Sequence, residues 1–256
     1  MVDLLDLFDT EPGFHHMALF RNASQPWKPI QKIEEYITTW FSGHKGDKTH
    51  TETKPWGTKH QVRKEGGVEN ILFVESPILI EEDIFLEDFY ISIGSGTLLE
   101  PTALIKGPAI IGSNCEIRQG AYMRGNVIIG DESVLGHTTE IKNSIIMNHS
   151  EAGHFAYIGD SLIGNYVNLG AGTKIANLQF RSVEEKRTGS IHTIFLRHGE
   201  ERIDTGMAKI GALIGDGSEL GCNCVTSPCT ILGKNSAVYP SAVVKKGIYP
   251  NKSVIR

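Results

Sequence analysis

The sequence predicts an all-β solenoid, and three observations predict it. Every sixth residue from Ile93 is apolar: Ile93, Leu99, Ile105, Ile111, Ile117, Met123, Ile129, Leu135, Ile141 and Met147. Four residues after each comes a side chain that is mostly small or β-branched, from Thr97, Ala103 and Ala109 to Thr139 and Ile145, until Glu151 breaks the pattern. The position after the apolar residue is often glycine, as at Gly94, Gly112, Gly130 and Gly136. A helix needs apolar residues every three to four positions and a half-buried strand every two, so a period of six fits neither and marks a stacked repeat.

This period resembles the hexapeptide repeat of the left-handed parallel β-helix. The resemblance implies triangular coils of three hexads, an axis filled by aliphatic side chains and corners turned by small residues. The chain then divides into an N-terminal segment, residues 1–70, with one helix and a polar linker, and a left-handed β-helix domain over 71–256. Counted at one coil per three hexads, the domain holds about seven coils stacked at the sheet spacing of ~4.8 Å.

Each element has its own warrant. In WKPIQKIEEYITTWF, Ile30, Ile33, Tyr36, Ile37 and Trp40 fall at helical spacing, which predicts one amphipathic helix after Pro26. The polar, Gly-rich GHKGDKTHTETKPWGTKHQVRKEGG reads as a loop or linker. The solenoid begins irregularly near Ile71. After Met147 the register slips by four, since the next repeats read from Tyr157, Ile163 and Leu169. The slip predicts an extruded loop containing Gly153, His154 and Phe155, and loops on rigid scaffolds often carry sites. A second break, about 178–209, alternates apolar residues and turns at His198 and Gly199, which predicts a projecting hairpin. Repeats resume at Ile214, Leu220, Thr226, Leu232, Val238 and Val244.

Composition narrows the function classes. With 256 residues, a net charge of −5 and a pI near 6.1, the chain lacks the basic excess of a nucleic-acid-binding surface. No run of about 18 apolar residues offers a membrane span, and a start carrying Asp3 and Asp6 does not read as a secretory leader. The expected location is cytoplasmic. Cys222, Cys224 and Cys229 follow no standard zinc spacing, and with Cys115 they read as packing residues in a reducing compartment. His15, His16, His44, His50 and His60 are scattered without ligand spacing. No metal is predicted.

Register turns spacing into geometry. Lys106, Arg124 and Lys142 are eighteen residues apart and should form a vertical column of cations, with Arg118 on the neighbouring face. Stacked like charges repel unless an anion or carboxylates sit among them. A phosphate would suit the column; pairing with Glu100, Glu116 or Glu140 is the alternative. Histidine is the side chain best suited to take a proton at neutral pH, which makes His154 the candidate general base.

The stretch from Glu140 to Asn177 is more specific. Its E-x-K, S-x-A-G-H-x-x-Y-x-G-D and N-x-G-A-G-T, with Arg124 upstream, resemble the acetyltransferase half of the bifunctional glucosamine-1-phosphate acetyltransferase/uridylyltransferase family. Asp204, Thr205, Gly206, Lys209 and Gly211, in DTG-x-x-K-x-G, look more like the archaeal-type sugar-1-phosphate nucleotidylyltransferase/acetyltransferases. The resemblance implies that Arg124 and Lys142 bind the phosphate of an amino sugar, that Tyr157 and Asn168 contact the sugar or its phosphate, and that His154 deprotonates its amine. It also implies that Ala171 and Asn177 line an acetyl-CoA cleft, and that the cleft lies between subunits of a homotrimer. The expected partners are therefore acetyl-CoA as co-substrate and an amino-sugar phosphate or nucleotide-linked amino sugar, with no nucleic acid and no membrane.

Two departures from the family pattern stand out. Leu178 follows Asn177 where the bacterial pattern has an aromatic residue, and no Gly-rich G-x-G-[ST]-[RK] phosphate loop precedes the repeats, so uridylyl transfer is not expected. Two rival readings remain open. His149 and His154 reproduce the spacing of two zinc ligands of γ-class carbonic anhydrases, for which His137 would be the third. A non-catalytic trimeric assembly partner, with Trp27, Trp40 and Trp56 either docking a companion or wrapping the chain's own solenoid, is the other.

Overall fold

The structure is a computed structural model that describes residues 7–9, 13–21, 23–44, 56–64 and 67–256. Three nine-stranded sheets form the faces of an all-β solenoid, each strand pairing with the equivalent strand one turn away. The first face includes Ile91–Ile93, Ala109–Ile111, Val127–Ile129 and Ser144–Ile146. The second includes Val134–His137, Glu151–His154 and Asn168–Leu169; the third includes Tyr122–Met123, Glu140–Lys142, Tyr157–Gly159 and Lys174–Ile175. There are about nine turns, not about seven. The difference lies at the start, where strands Gly67–Val74, Ile78–Leu79 and Ile84–Leu86 pair antiparallel to the first parallel strands and so carry no hexad signal.

The axis follows the six-residue rhythm with one correction. Ile93 through Ile141 are all buried on it, but the next axial residue is Ile146, and Met147 packs outside the solenoid. Ile129 pairs with Ile146 and Ile141 with Ile158, and Ile158 in turn with Ile175, each step seventeen residues instead of eighteen. There is accordingly no four-residue slip and no extruded loop at His154. One residue is missing at the same corner in two successive turns. Asn143 and Asp160 close those corners in the left-handed region, at φ of 44° and 50°, conformations that Asn and Asp tolerate better than other L-residues.

Stacking explains the glycines. A Cβ on Gly130 would lie 2.4 Å from Asn148 Oδ1 of the next turn, and that oxygen accepts the Asp131 amide. Corner side chains thus satisfy backbone donors one turn away, so a side chain at Gly130 would displace its neighbour's hydrogen bond.

The first face is apolar on both sides, as its strand sequences AII, VII, SII and TIL require. Ile110, Ile128, Ile145, Leu162, Leu213 and Ile231 point outward into a second core with Phe8, Trp27, Ile30, Ile33, Ile37 and Phe41. Each such side chain contributes roughly 1.5–3 kcal/mol when fully buried. The N-terminal segment therefore wraps its own solenoid. Its helix is in two pieces, Lys28–Gln31 and Ile33–Gly43, divided at Lys32. Part of the expected linker is the strand Gly57–Lys64, paired with Gly67–Val74. Its alternation is hidden because most of its side chains are polar. His50 and the middle of that linker lie outside the described residues.

Candidate active site at the edges of the third face

Strand direction fixes what meets at the third face. The chain leaves the second face through Glu151–His154, turns, and enters the third at Tyr157. His154 is thus the last residue of a strand, directly across from His137 one turn away and exposed. Phe155 makes the corner at φ 34°, where the turns before and after use Thr138 and Gly172 at φ 49° and 76°. A bulky residue in the left-handed region is a strained choice, and such choices cluster at functional sites. The corner is pinned on both sides: the Phe155 amide donates to His137 O of the preceding turn at 2.7 Å, and from the following turn the Gly172 amide donates to His154 O at 3.0 Å and Lys174 Nζ to Phe155 O at 2.9 Å. Ala171, beside Gly172, therefore sits one turn from His154.

The far edge of the third face carries the cations. Register places Lys106, Arg124 and Lys142 one above another, as the spacing predicts. Each, however, has its own carboxylate. Lys106 Nζ lies 3.0 Å from Glu69, Arg124 Nη1 2.7 Å from Glu140, and Lys142 Nζ 3.2 Å from Asp160 Oδ2. Arg118 pairs likewise with Glu116 at 2.8 Å. The repulsion of the column is thus offset within the chain.

These pairs join into one network. Asn143 Nδ2 donates to Asp160 Oδ1 at 2.8 Å, and Asn177 Nδ2 to the other oxygen of the same carboxylate. Tyr157 stands across from Glu140, and its hydroxyl is 3.4 Å from Asn177 Oδ1. Burial, with Glu140 and Asp160 nearby, pushes the Tyr157 phenol above its ordinary range, so it is a neutral donor at physiological pH. The Glu140 hydrogen bond raises Arg124 further. Arg124, Glu140, Tyr157, Asn177, Asp160 and Lys142 form a polar strip a few residues wide, able to present cations and neutral donors to an anionic, hydroxylated ligand.

The expected site residues are therefore only partly gathered. Arg124, Lys142, Tyr157 and Asn177 come together. His154 and Ala171 share the opposite edge of the face. Asn168 lies at the start of the second face, where its Nδ2 donates to Glu219 at 2.9 Å, away from the strip. Sequence reading left Asp160, which ties three members together, without a role, although it stands inside the G-D of the motif. Arg118 Nη1 would lie 3.8 Å from a Cβ on Gly153, the residue before His154.

His149, which was paired with His154 as a possible zinc ligand, stacks on Tyr166 at 4.6 Å at the other edge of the second face. Among the described residues no three His, Cys, Asp or Glu side chains converge on a metal position, and the four cysteines are free thiols. No described helix is long and apolar enough to cross a membrane.

Comparison with known proteins adds the family context. Residues 105–196 match the family model of the GMPPB C-terminal domain. A bifunctional sugar-1-phosphate nucleotidylyltransferase/acetyltransferase of Sulfurisphaera tokodaii is 35% identical over 183 residues, which is 72% of this chain and 40% of that protein. The bifunctional protein GlmU of Herminiimonas arsenicoxydans is 35% identical over 129 residues, and that of Methanococcus vannielii 34% over 128; each alignment covers 50% of this chain and 28% of the relative. The chain thus spans less than half the length of these relatives. It is a hexapeptide-repeat β-solenoid that resembles, across most of its own length, part of the bifunctional sugar-1-phosphate nucleotidylyltransferase/acetyltransferases.

Proposed function

We propose that this chain is an acetyl-CoA-dependent N-acetyltransferase acting on the amine of an amino-sugar phosphate of the glucosamine-1-phosphate kind, or of a nucleotide-linked amino sugar. The observation that carries this reading is the continuous strip of Arg124, Glu140, Tyr157, Asn177, Asp160 and Lys142 on a scaffold similar to part of a bifunctional sugar-1-phosphate nucleotidylyltransferase/acetyltransferase.

Arg124 and Lys142 take the phosphate, exchanging part of their pairing with Glu140 and Asp160 for a dianion; charge-assisted bonds of this kind are the stronger class. The Tyr157 hydroxyl donates to a sugar oxygen or to the phosphate. His154 accepts a proton from the amine as its nitrogen attacks the thioester carbonyl. A tetrahedral oxyanion forms, the C–S bond breaks, and the CoA thiolate leaves and is protonated. In this reading the backbone amide of Ala171 meets that oxyanion.

His154 and the cations occupy opposite edges of one face, so a cleft between two copies of the chain brings them closer than one copy does. We assign a cytoplasmic homotrimer with its clefts between subunits. The wrapped first face leaves the second and third faces open for such contacts, and Phe155 and Tyr166, about half exposed, lie on them. Asn168 contributes from the second face of a neighbour in this arrangement. A thiol-release assay with acetyl-CoA against a panel of amino-sugar phosphates and nucleotide-linked amino sugars tests the reading. Turnover with at least one acceptor is expected, and no thiol release with any member of the panel overturns it.

A further inference from the structure

The insertion after Asn177 builds a second cationic site that the strip does not use. Its hairpin, Phe195–His198 paired with Glu201–Asp204, lies against the last strand of the first face, Gly247–Tyr249. Between the hairpin and the corner at Lys245 and Lys246 is a cavity of about 480 Å³, lined among others by Gln179, Phe195, Leu196, Arg197, Arg202 and Lys246.

Three features of this cavity point to a ligand. Arg197 and Arg202 stand directly opposite each other across the hairpin, and Lys246 adds a third cation. Like charges in directly opposed positions cost stability unless something anionic lies between them. Among the described residues none of the three is ion-paired to a carboxylate; Asp204, on the same hairpin strand as Arg202, is exposed and accepts the Gly206 amide. His192, also at the rim, is instead engaged by Glu185. The floor is apolar and aromatic: Leu196 is buried, and the Arg202 guanidinium lies 3.7 Å over the Phe195 ring. A ring face beside several cations suits a nucleotide, whose base stacks and whose phosphates meet the cations.

Position links the cavity to the strip. Lys246 directly follows Lys245, which by strand register holds the Lys142 position four turns further along, roughly 19 Å away at ~4.8 Å per turn. Gln179 lines the cavity only two residues after Asn177. A ligand seated there would extend along the edge of the prism towards the third-face strip.

We propose that the hairpin cavity binds the phosphate groups of a nucleotide. Two sources share that chemistry, the nucleotide end of the acyl donor and the diphosphate of a nucleotide-linked sugar, and assigning either one rests on the acyl-transfer reading, whereas nucleotide binding itself does not.

The test is calorimetric titration of the full chain with adenosine 3′,5′-bisphosphate and, separately, with UDP, each at low and at high salt. Binding of one probe that weakens with salt is expected, because exposed charges are screened. The triple variant Arg197→Ala, Arg202→Ala, Lys246→Ala should bind that probe at least about tenfold more weakly, as losing charged hydrogen bonds implies. Lys246→Gln alone, which leaves the hairpin intact, should weaken it severalfold. Preference for the adenosine probe assigns the acyl donor, and preference for UDP assigns a nucleotide-linked sugar. Failure of both probes to bind, or equal affinity in the Lys246→Gln chain, overturns the proposal. Nucleotide binding in a chain that releases no thiol retains this site and removes the acyl-transfer reading alone.

Discussion

Replacing His16 with Gln should remove a pH dependence of stability that can be worked out from its surroundings. His16 is 7% exposed and sits where the N-terminal segment meets the solenoid, edge-on to Phe14, Tyr36 and Trp40, with its Nδ1 3.0 Å from the Tyr36 hydroxyl. Burial, and then the neighbouring His15, lower its pKa from 6.5 to about 4, against a smaller opposing pull from Asp131. Between those values the unfolded chain binds a proton that the folded chain refuses. Stability from this group is therefore fully present above pH 6.5 and lost as pH falls through about 4. At about 1.4 kcal/mol per unit, the loss amounts to about 3 kcal/mol. Urea unfolding at several pH values from 7.5 down to 4, for native and His16→Gln chains, isolates the contribution from that of the carboxylates, which both chains share. The difference in unfolding free energy between the two should shrink by about 3 kcal/mol over that range. A difference that stays constant within roughly 0.5 kcal/mol would refute the reasoning.

Three further outcomes are expected. Gly136→Ala should destabilise the solenoid severely, since its Cβ would sit 1.8 Å from Gly153 O, whereas Gly153→Ala, with only Arg118 Nη1 at 3.8 Å, should cost under about 1 kcal/mol; thermal unfolding of the pair gives the contrast. Trp27→Ala empties a site in the second core and removes the Nε1–H bond to Thr205 O, so a loss of about 3–5 kcal/mol should appear in denaturant unfolding. Lys142→Ala strands the buried Asp160 carboxylate on two amide donors, and should cost roughly 1–3 kcal/mol, much of it restored by adding Asp160→Asn.

Much of this fold was written in the residues because axial positions admit so few side chains. Nine successive axial positions from Ile93 are read correctly, and the hairpin turning at Gly199 and the cation column follow from spacing alone. The errors share a cause. A corner shortened by one residue shifts every later axial position, but Met147 and Tyr157 are apolar enough to pass for axial residues, so the two short hexads at 141–146 and 158–163 read as a single four-residue slip. That misreading put His154 on a loop. The partners of the cations were half legible: Glu140 and Glu116 were recognised as pairing candidates, while Asp160 reaches Lys142 only because the corner is tight. Arg197 and Arg202 gave no signal, since their opposition depends on hairpin register, and Lys246 is far from both in sequence.

The most direct measurement of the central claim is a pair of steady-state comparisons with whichever acceptor supports thiol release. His154→Ala should lower kcat by about 10²–10⁴ with KM for the acceptor little changed, the range expected of a lost general base. Arg124→Ala should instead raise the acceptor KM and spare most of kcat. A His154→Ala chain that turns over at the native rate, or an Arg124→Ala chain with an unaltered acceptor KM, would contradict the account.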